Sequence, residues 1–246
     1  MPDISVIVTA HREGVLVGPT ALSACRAIER ARSERGLSIE VVLVFDNASR
    51  DTREVLENGF ARLEDTPVRL IDVSLGDPGL ARNAGIEIAA GTTATFLDGD
   101  DLWSSNWLVA AYALSEVRPD AVLHSACNVT FGQYRNLWWH IDSEGPLFDR
   151  RYLGWANYWD AMSFAHRDTY RRFPFVRNEL SLGFGHEDWH WGVVTYEAGI
   201  AHKPVPETIH FKRRRAGSQM SLVERANAVV RPTSFKRRHD GAGESA

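Results

Sequence analysis

Residues Ile39 to Phe45 form a nearly unbroken apolar run of strand length, closed by the polar segment Asp46-Asn47-Ala48-Ser49. Such a run has no polar face to turn to water. It must be covered on both sides, as strands of a parallel sheet are. Its neighbours agree. A β-rich run, Ile4-Ser5-Val6-Ile7-Val8-Thr9-Ala10, comes before it and ends at His11-Arg12-Glu13-Gly14. Between them, Pro19 to Arg35 places Ala21, Leu22, Cys25 and Ile28 on one helical face, and Gly36 closes the helix. Asp51 is positioned to cap a second helix reaching about Leu63. Val68 to Val73 reads as a third strand, Gly76-Asp77-Pro78-Gly79 as a loop, Leu80 to Ala90 as a helix and Ala94 to Leu97 as a fourth strand. This alternation predicts an α/β fold with a Rossmann-like, mostly parallel sheet, right-handed crossovers and flanking helices.

The fourth strand runs straight into Asp98-Gly99-Asp100-Asp101, with Leu102-Trp103 following. Polar or acidic residues therefore follow the first, second and fourth strands. In an open parallel sheet those turns share the carboxyl edge, where ligands bind. Three carboxylates so close repel one another unless a cation shares them. A hard divalent ion carrying phosphate oxygens suits that role. Past Trp103 the pattern loosens. A helix is expected over about Ser105 to Ser115 and a strand over Ala121 to Val129. An irregular aromatic-rich stretch then runs through Asp160, before a strand at Ala161 to Ala165 and a short helix at Arg167 to Phe173. Gly183 to Asp188 is a turn opening a helix to about Ala198, with Gly185 expected to give the turn its freedom. Ile209 to Phe211 reads as a short strand. All eight tryptophans fall after the acidic cluster, which suggests two halves with different tasks.

Bulk properties exclude several classes. The 246 residues, 44% hydrophobic and 24% charged, suit one soluble globular unit. A net charge of −4 gives no reason to expect nucleic-acid binding. The two cysteines, Cys25 and Cys127, lack metal-type spacing and read as buried free thiols in a reducing compartment. Met1-Pro2-Asp3 leads directly into a strand, so no signal peptide is expected, and no apolar run is long enough to span a bilayer. The expected setting is cytoplasmic.

With Ser5 to Ala10, Phe45 to Thr52, Gly79 to Gly85, Phe96 to Trp103 and Glu187-Asp188-Trp189 in this order, the chain resembles family 2 glycosyltransferases, which have the GT-A fold. The resemblance covers about residues 3 to 222. It implies a single GT-A domain over 1–222, with a nucleotide-sugar-binding half (1–103) and a smaller aromatic-rich acceptor half (104–222). Residues 223–246 would be the end of a helix and a basic tail that frays from Arg231. It further implies that Thr9, Ala10 and His11 line the base pocket. Asp46 and Asn47 stand where the family often has two acids, with Asn47 replacing the one that usually reads the base. Arg82, in a helix that also carries Asn83, would reach the nucleotide or its phosphates. Asp98 would face the ribose or the metal, and Asp100 would be the main ligand of Mg²⁺ or Mn²⁺. Asp101 would orient that shell or cap the next helix. Asp188 would be the general base, with Glu187 and Trp189 at the acceptor. Arg215, in the basic run Lys212 to Arg215 before Gly217-Ser218, would neutralise donor phosphates where some relatives carry a metal-binding histidine.

The activity so implied is inverting, metal-dependent transfer of a hexosyl-type sugar from a nucleotide diphosphate donor to a hydroxyl on a glycan or lipid-linked acceptor. It belongs to polysaccharide biosynthesis. Two alternatives are a sugar-1-phosphate nucleotidyltransferase, whose long Gly-rich phosphate loop His11-Arg12-Glu13-Gly14 does not supply, and a non-catalytic glycan-binding domain. The tail's Lys236-Arg237-Arg238 would allow peripheral contact with the inner face of a membrane.

Overall fold

The computed structural model describes residues 1–215 and 218–234. Gly217 and the tail cations Lys236, Arg237 and Arg238 lie outside the described residues. The first half alternates strand and helix: β1 (Ile4–Ala10), α1 (Val17–Arg35), β2 (Ile39–Asp46), α2 (Arg50–Phe60), β3 (Val68–Val73), α3 (Pro78–Ile88) and β4 (Thr93–Asp98). Then follow β5 (Leu102–Trp103), α4 (Trp107–Val117), β6 (Val122–Gly132), β7 (Asn136–Trp139), β8 (Phe164–His166) and α5 (Arg167–Arg172). The chain continues through β9 (Phe184–Gly185), α6 (Glu187–Glu197), β10 (His202–Arg214), α7 (Gln219–Arg225) and β11 (Val229–Val230).

One sheet crosses both halves in the order β3-β2-β1-β4-β8-β6-β10-β5, with β7 paired to β6. The β1–β2, β1–β4 and β2–β3 pairs are parallel, as expected for crossover connections. β8 is antiparallel to both β4 and β6. β6 therefore runs with β4, and β10 runs parallel to β6. The carboxyl ends of β1, β2, β4 and β10 thus come to one edge.

The alternation along β1 and β2 explains the layers. Ile4, Val6, Val8, Val41, Leu43 and Phe45 pack with α1, α2 and α4 on one face. Ile7, Val42 and Val44 pack with Ala81 and Ile86 of α3 and with Trp191 of α6 on the other. Every residue of β1 and β2 is buried, as the apolar run requires. The third cluster, Leu153, Tyr158, Trp159 and Val193, lies in the second half and takes up part of its aromatic excess. Cys25 and Cys127 are buried free thiols.

Several elements differ from expectation. Ser49, not Asp51, holds the N-cap position of α2, and Asp51 sits in its first turn. β10 is far longer than Ile209–Phe211. Pro204 and Pro206 argue against a strand, yet the register shifts between Val205 and Ile209 in a bulge that absorbs the second of them. Asn136–Trp139 is a strand inside the stretch expected to be irregular. Gly185 does not have a positive φ; Gly183 and His186 do. A Cβ at Gly185 would meet Val223 at 3.1 Å, so its smallness serves packing. Arg231 bonds Glu179 at 2.5 Å, and β11 pairs with β9.

Candidate active site at the carboxyl edge of the sheet

A cavity of about 350 Å³ opens at this edge, lined by Thr9 and Ala10 at the end of β1 and His11 just after it, Asp46 at the end of β2, Arg82 of α3, the Asp98–Asp101 turn, Glu187 and Asp188 of α6, and Arg215 after β10. Most of the residues singled out in the sequence are thus brought together. Asn47, Asn83 and Trp189 are not among the lining residues. Asn47 is exposed, has φ 52° and donates to Asp46 Oδ1 at 2.9 Å. The Asn83 amide donates to the Phe175 carbonyl and accepts from its N–H, which fastens α3 to the segment before α6. The Trp189 indole N–H donates to the Leu153 carbonyl at 2.8 Å, within the third cluster.

Asp46 lines the cavity, but its carboxylate is occupied by the protein. It accepts backbone N–H bonds from Leu75 (2.7 Å), Gly76 (3.0 Å) and Asp77 (3.1 Å). It therefore braces the loop that forms one rim. Asp77 next to it caps α3 through Leu80 and also accepts the Asn178 N–H.

Arg82 is 3% exposed and divides its guanidinium between two carboxylates. Nη2 reaches both oxygens of Asp98 at 2.8 Å, and Nη1 reaches Glu187 Oε1 at 3.0 Å. Glu187 Oε2 also accepts from Asn178 at 2.8 Å, so both of its oxygens are bonded to the protein. Thr9 Oγ1 adds a bond to Asp98 at 3.1 Å. Burial opposes ionisation of Asp98, but Arg82 overrides it and holds the carboxyl below its usual range. Asp100 Oδ2 takes Arg215 Nε at 2.7 Å, and Arg215 Nη2 approaches Glu13 Oε1 at 3.4 Å. Asp101 accepts the Arg213 N–H at 2.7 Å. Burial, with Asp100 and Asp98 adding to it, pushes Asp101 up to about 7 against the pull of Lys212.

Asp188 stands in the first turn of α6, whose N-cap is His186. Its Oδ1 accepts the Trp189 N–H at 2.7 Å. Burial first, then the Glu187 charge, pushes the carboxyl up to about 7, while Lys212 and Arg82 oppose the rise. A carboxyl poised there can accept a proton near neutral pH.

Sequence reasoning passed over Glu13, Lys212 and Asp160 as site residues. Glu13 and Lys212 line the cavity. Lys212 was visible only as one cation in a basic run, and Asp160 carries no motif.

Among the described residues, no group of three or more His, Cys, Asp or Glu side chains is arranged to hold a metal ion. Two carboxylates, Asp98 and Asp100, nonetheless present hard oxygen donors to the cavity. Mg²⁺ and its relatives are commonly held by one or two carboxylates and completed by substrate phosphates. The donor set fits that pattern. No helix among the described residues is long and apolar enough to cross a membrane.

A family model described as Glycosyl transferase family 2 matches residues 5–177. The chain belongs to glycosyl transferase family 2. Succinoglycan biosynthesis protein ExoO of Rhizobium meliloti (strain 1021) is 38% identical over 102 residues, which are 41% of this chain and 26% of that relative. S. aureus TarS 1-349 in complex with UDP-GlcNAc superimposes with a TM-score of 0.64 at 18% identity, over 96% of this chain and 64% of that one. The mannosyltransferase PcManGT from Pyrobaculum calidifontis, solved with GDP-Man and Mn²⁺, gives 0.59 at 14% identity, over 88% of this chain and 58% of that one. This family 2 chain thus spans under two thirds of these relatives, and the likeness to the solved structures shows its fold, which is GT-A.

Proposed function

We propose that this family 2 chain is an inverting glycosyltransferase that moves a sugar from a nucleoside diphosphate donor to an acceptor hydroxyl in polysaccharide biosynthesis. The observation that carries the reading is one cavity lined by the Asp98–Asp100 carboxylates, by Arg82 and Arg215, and by an Asp188 poised near neutrality. The donor's diphosphate lies against Asp98, Asp100 and Arg215, and its base toward His11 and the rim braced by Asp46. Asp98 and Asp100 would hold Mg²⁺ or Mn²⁺, which when bound supplies positive charge to the departing diphosphate.

Asp188 accepts the proton as the acceptor oxygen forms its bond to the anomeric carbon. The bond from that carbon to the diphosphate oxygen breaks, and the nucleoside diphosphate leaves with the electron pair. Attack from the face opposite the leaving group inverts the anomeric centre. Arg82 ties β4 to α6 through Asp98 and Glu187, and so sets the donor edge against the base.

Incubation with a panel of nucleotide-sugars and Mg²⁺ or Mn²⁺ tests the reading. Release of the nucleoside diphosphate from one donor class is expected, faster with an acceptor glycan or lipid-linked sugar. No release from any donor, with no metal-dependent nucleoside diphosphate binding, would remove it.

A further inference from the structure

The displacement just described leaves one charged lining residue without a task. Glu13, in the turn after β1, lines the cavity with a side chain only 9% exposed. Its position is set by the chain around it. The Glu13 carbonyl accepts the Leu16 N–H at 3.2 Å, and the Gly14 N–H donates to Thr52 Oγ1 at 2.7 Å. Glu13 Oε2 accepts the His11 N–H at 2.7 Å. The carboxylate also lies against the acidic turn, where a Cβ at Gly99 would come within 3.3 Å of Oε2. The other oxygen, Oε1, faces Arg215 Nη2 at 3.4 Å, across 202 residues of chain.

Arg215 is held by two carboxylates at once. Its Nε donates to Asp100 Oδ2 at 2.7 Å, and its Nη2 donates to Glu13 Oε1. A guanidinium held by one hydrogen bond can swing about it. Bonds on two different nitrogens fix the plane of the group, a property that a lysine ammonium lacks. A guanidinium has five N–H groups. With one on Nε and one on Nη2 taken, both on Nη1 and one on Nη2 have no partner among the described residues. Neighbouring arginines of the wall are occupied elsewhere. Arg82 serves Asp98 and Glu187, Arg213 donates to the Asp100 carbonyl, and Arg214 donates to the Tyr134 hydroxyl. Asp100 has a second claim on it as a proposed metal ligand. Glu13 has no other cationic partner among the described residues, which makes it the anchor that Arg215 keeps.

We propose that Glu13 is a positioning residue for the donor diphosphate: with Asp100 it fixes the plane of Arg215, so that the free guanidinium N–H groups present a fork to phosphate oxygens. The proposal rests on the glycosyltransferase reading for the identity of the ligand. Glu13 acts through Arg215 and makes no contact of its own with the donor. Because the same carboxylate also holds the His11 N–H, the base side and the phosphate side of the cavity share one anchor.

A double-mutant cycle on nucleoside diphosphate affinity, read by calorimetry, tests the proposal. UDP, GDP, ADP, CDP and dTDP are screened with Mg²⁺, and the tightest is taken to Glu13→Gln, Arg215→Met and the double variant. Glu13→Gln keeps the size of the side chain. Its amide oxygen can still accept the His11 N–H, which turns an NH₂ group toward Arg215. Through the field alone, removing a negative charge from the cavity would tighten an anionic ligand. Positioning predicts the reverse, a Kd about tenfold higher, the scale of coupling between groups in contact. In the Arg215→Met background the same change is expected to cause no loss. Arg215→Lys keeps the charge without a plane to fix and is expected to lose affinity as Glu13→Gln does, which keeps the proposal testable if Glu13→Gln does not fold. Nitrogen-15 NMR of the Arg215 guanidinium supplies a readout without ligand: rotation about Nε–Cζ is expected to be slow in the wild type and faster in Glu13→Gln. An equal loss in both backgrounds, as a weakened metal or a distorted turn would cause, overturns the proposal. So does a tightened ligand in Glu13→Gln, wild-type affinity in Arg215→Lys, or unchanged guanidinium rotation. A wild-type chain that binds none of these diphosphates sinks the functional reading, while the rotation measurement still judges whether Glu13 holds Arg215.

Discussion

Asp188 and Glu187 are adjacent carboxylates with opposite fates. Glu187 is held by Arg82 and Asn178, while Asp188, half-buried, is left with one backbone N–H. The difference arises from helix geometry, since successive residues on α6 point about 100° apart. Asp188→Asn is expected to lower kcat by about 10³-fold, with nucleoside diphosphate affinity nearly unchanged, as general-base loss does. Single-turnover kinetics and calorimetry check both halves. Because burial raises the Asp188 carboxyl to about 7, the acceptor-competent carboxylate forms only as pH rises through that value. kcat should therefore climb to a plateau above neutrality, and a limb near the ordinary carboxylate range would contradict the buried setting. The Glu-Asp pair was legible in the sequence. That the first acid is tied to Arg82, 105 residues away, only the folded chain shows.

At the scale of elements, two close approaches hold the site's supports in place. A Cβ on Gly85 would lie 2.5 Å from Ile7 Cγ2 and 3.1 Å from Val44 Cγ2. α3, which carries Arg82, can therefore sit on β1 and β2 only with glycine there. Gly85→Ala should cost about 1–3 kcal/mol in chemical denaturation, the scale of core overpacking. Asp46 fastens the 75–77 loop to the end of β2 by three amide bonds. Asp46→Ala strands those amides and should cost about 1–3 kcal/mol while also loosening donor binding. A variant as stable as wild type with weakened donor binding would instead place Asp46 directly on the nucleotide. The first four strands were readable from hydrophobic patterning, since β1 to β4 lie near their expected spans. The length of β10 was not, because its prolines sit where a bulge and an edge tolerate them.

Across the whole molecule, the carboxylates of the cavity wall outnumber the cations facing them, which favours a divalent ion together with a diphosphate. Mn²⁺ and a nucleoside diphosphate added together should raise the melting temperature more than the sum of their separate effects, and Asp100→Ala should abolish the excess. Acid stability follows from a second buried group. His124, His140, His202 and His210 are all pushed below their usual range by burial, with His202 and His210 down to about 3. A histidine kept neutral when folded binds its proton first in the unfolded chain. Its contribution is intact above the ordinary histidine value and is lost as pH falls from about 6.5 toward about 3. His202 and His210 each remove about 1.4 kcal/mol per pH unit within that window. Asp188 and Asp101, raised to about 7, act in the opposite direction, as do Glu13 and Asp77. His202→Gln should therefore make the denaturation midpoint less sensitive to acid than that of the wild type between about pH 6.5 and about 3.

The sequence by itself determined the α/β alternation and the sheet edge that carries the acids, and it singled out Asp98, Asp100 and Asp188, which line one cavity. These are local facts, written in hydrophobic periodicity and in residues that end strands or open helices. Tertiary structure decided which charges are already committed. Arg82 meets Asp98 and Glu187, Arg215 meets Asp100, and Lys212 meets Asp160. It also decided that Asn47 and Trp189 stand outside the cavity, while Glu13 and Lys212 line it. Ion pairing and burial depend on distances between groups far apart in the chain, and only the folded sheet fixes those distances.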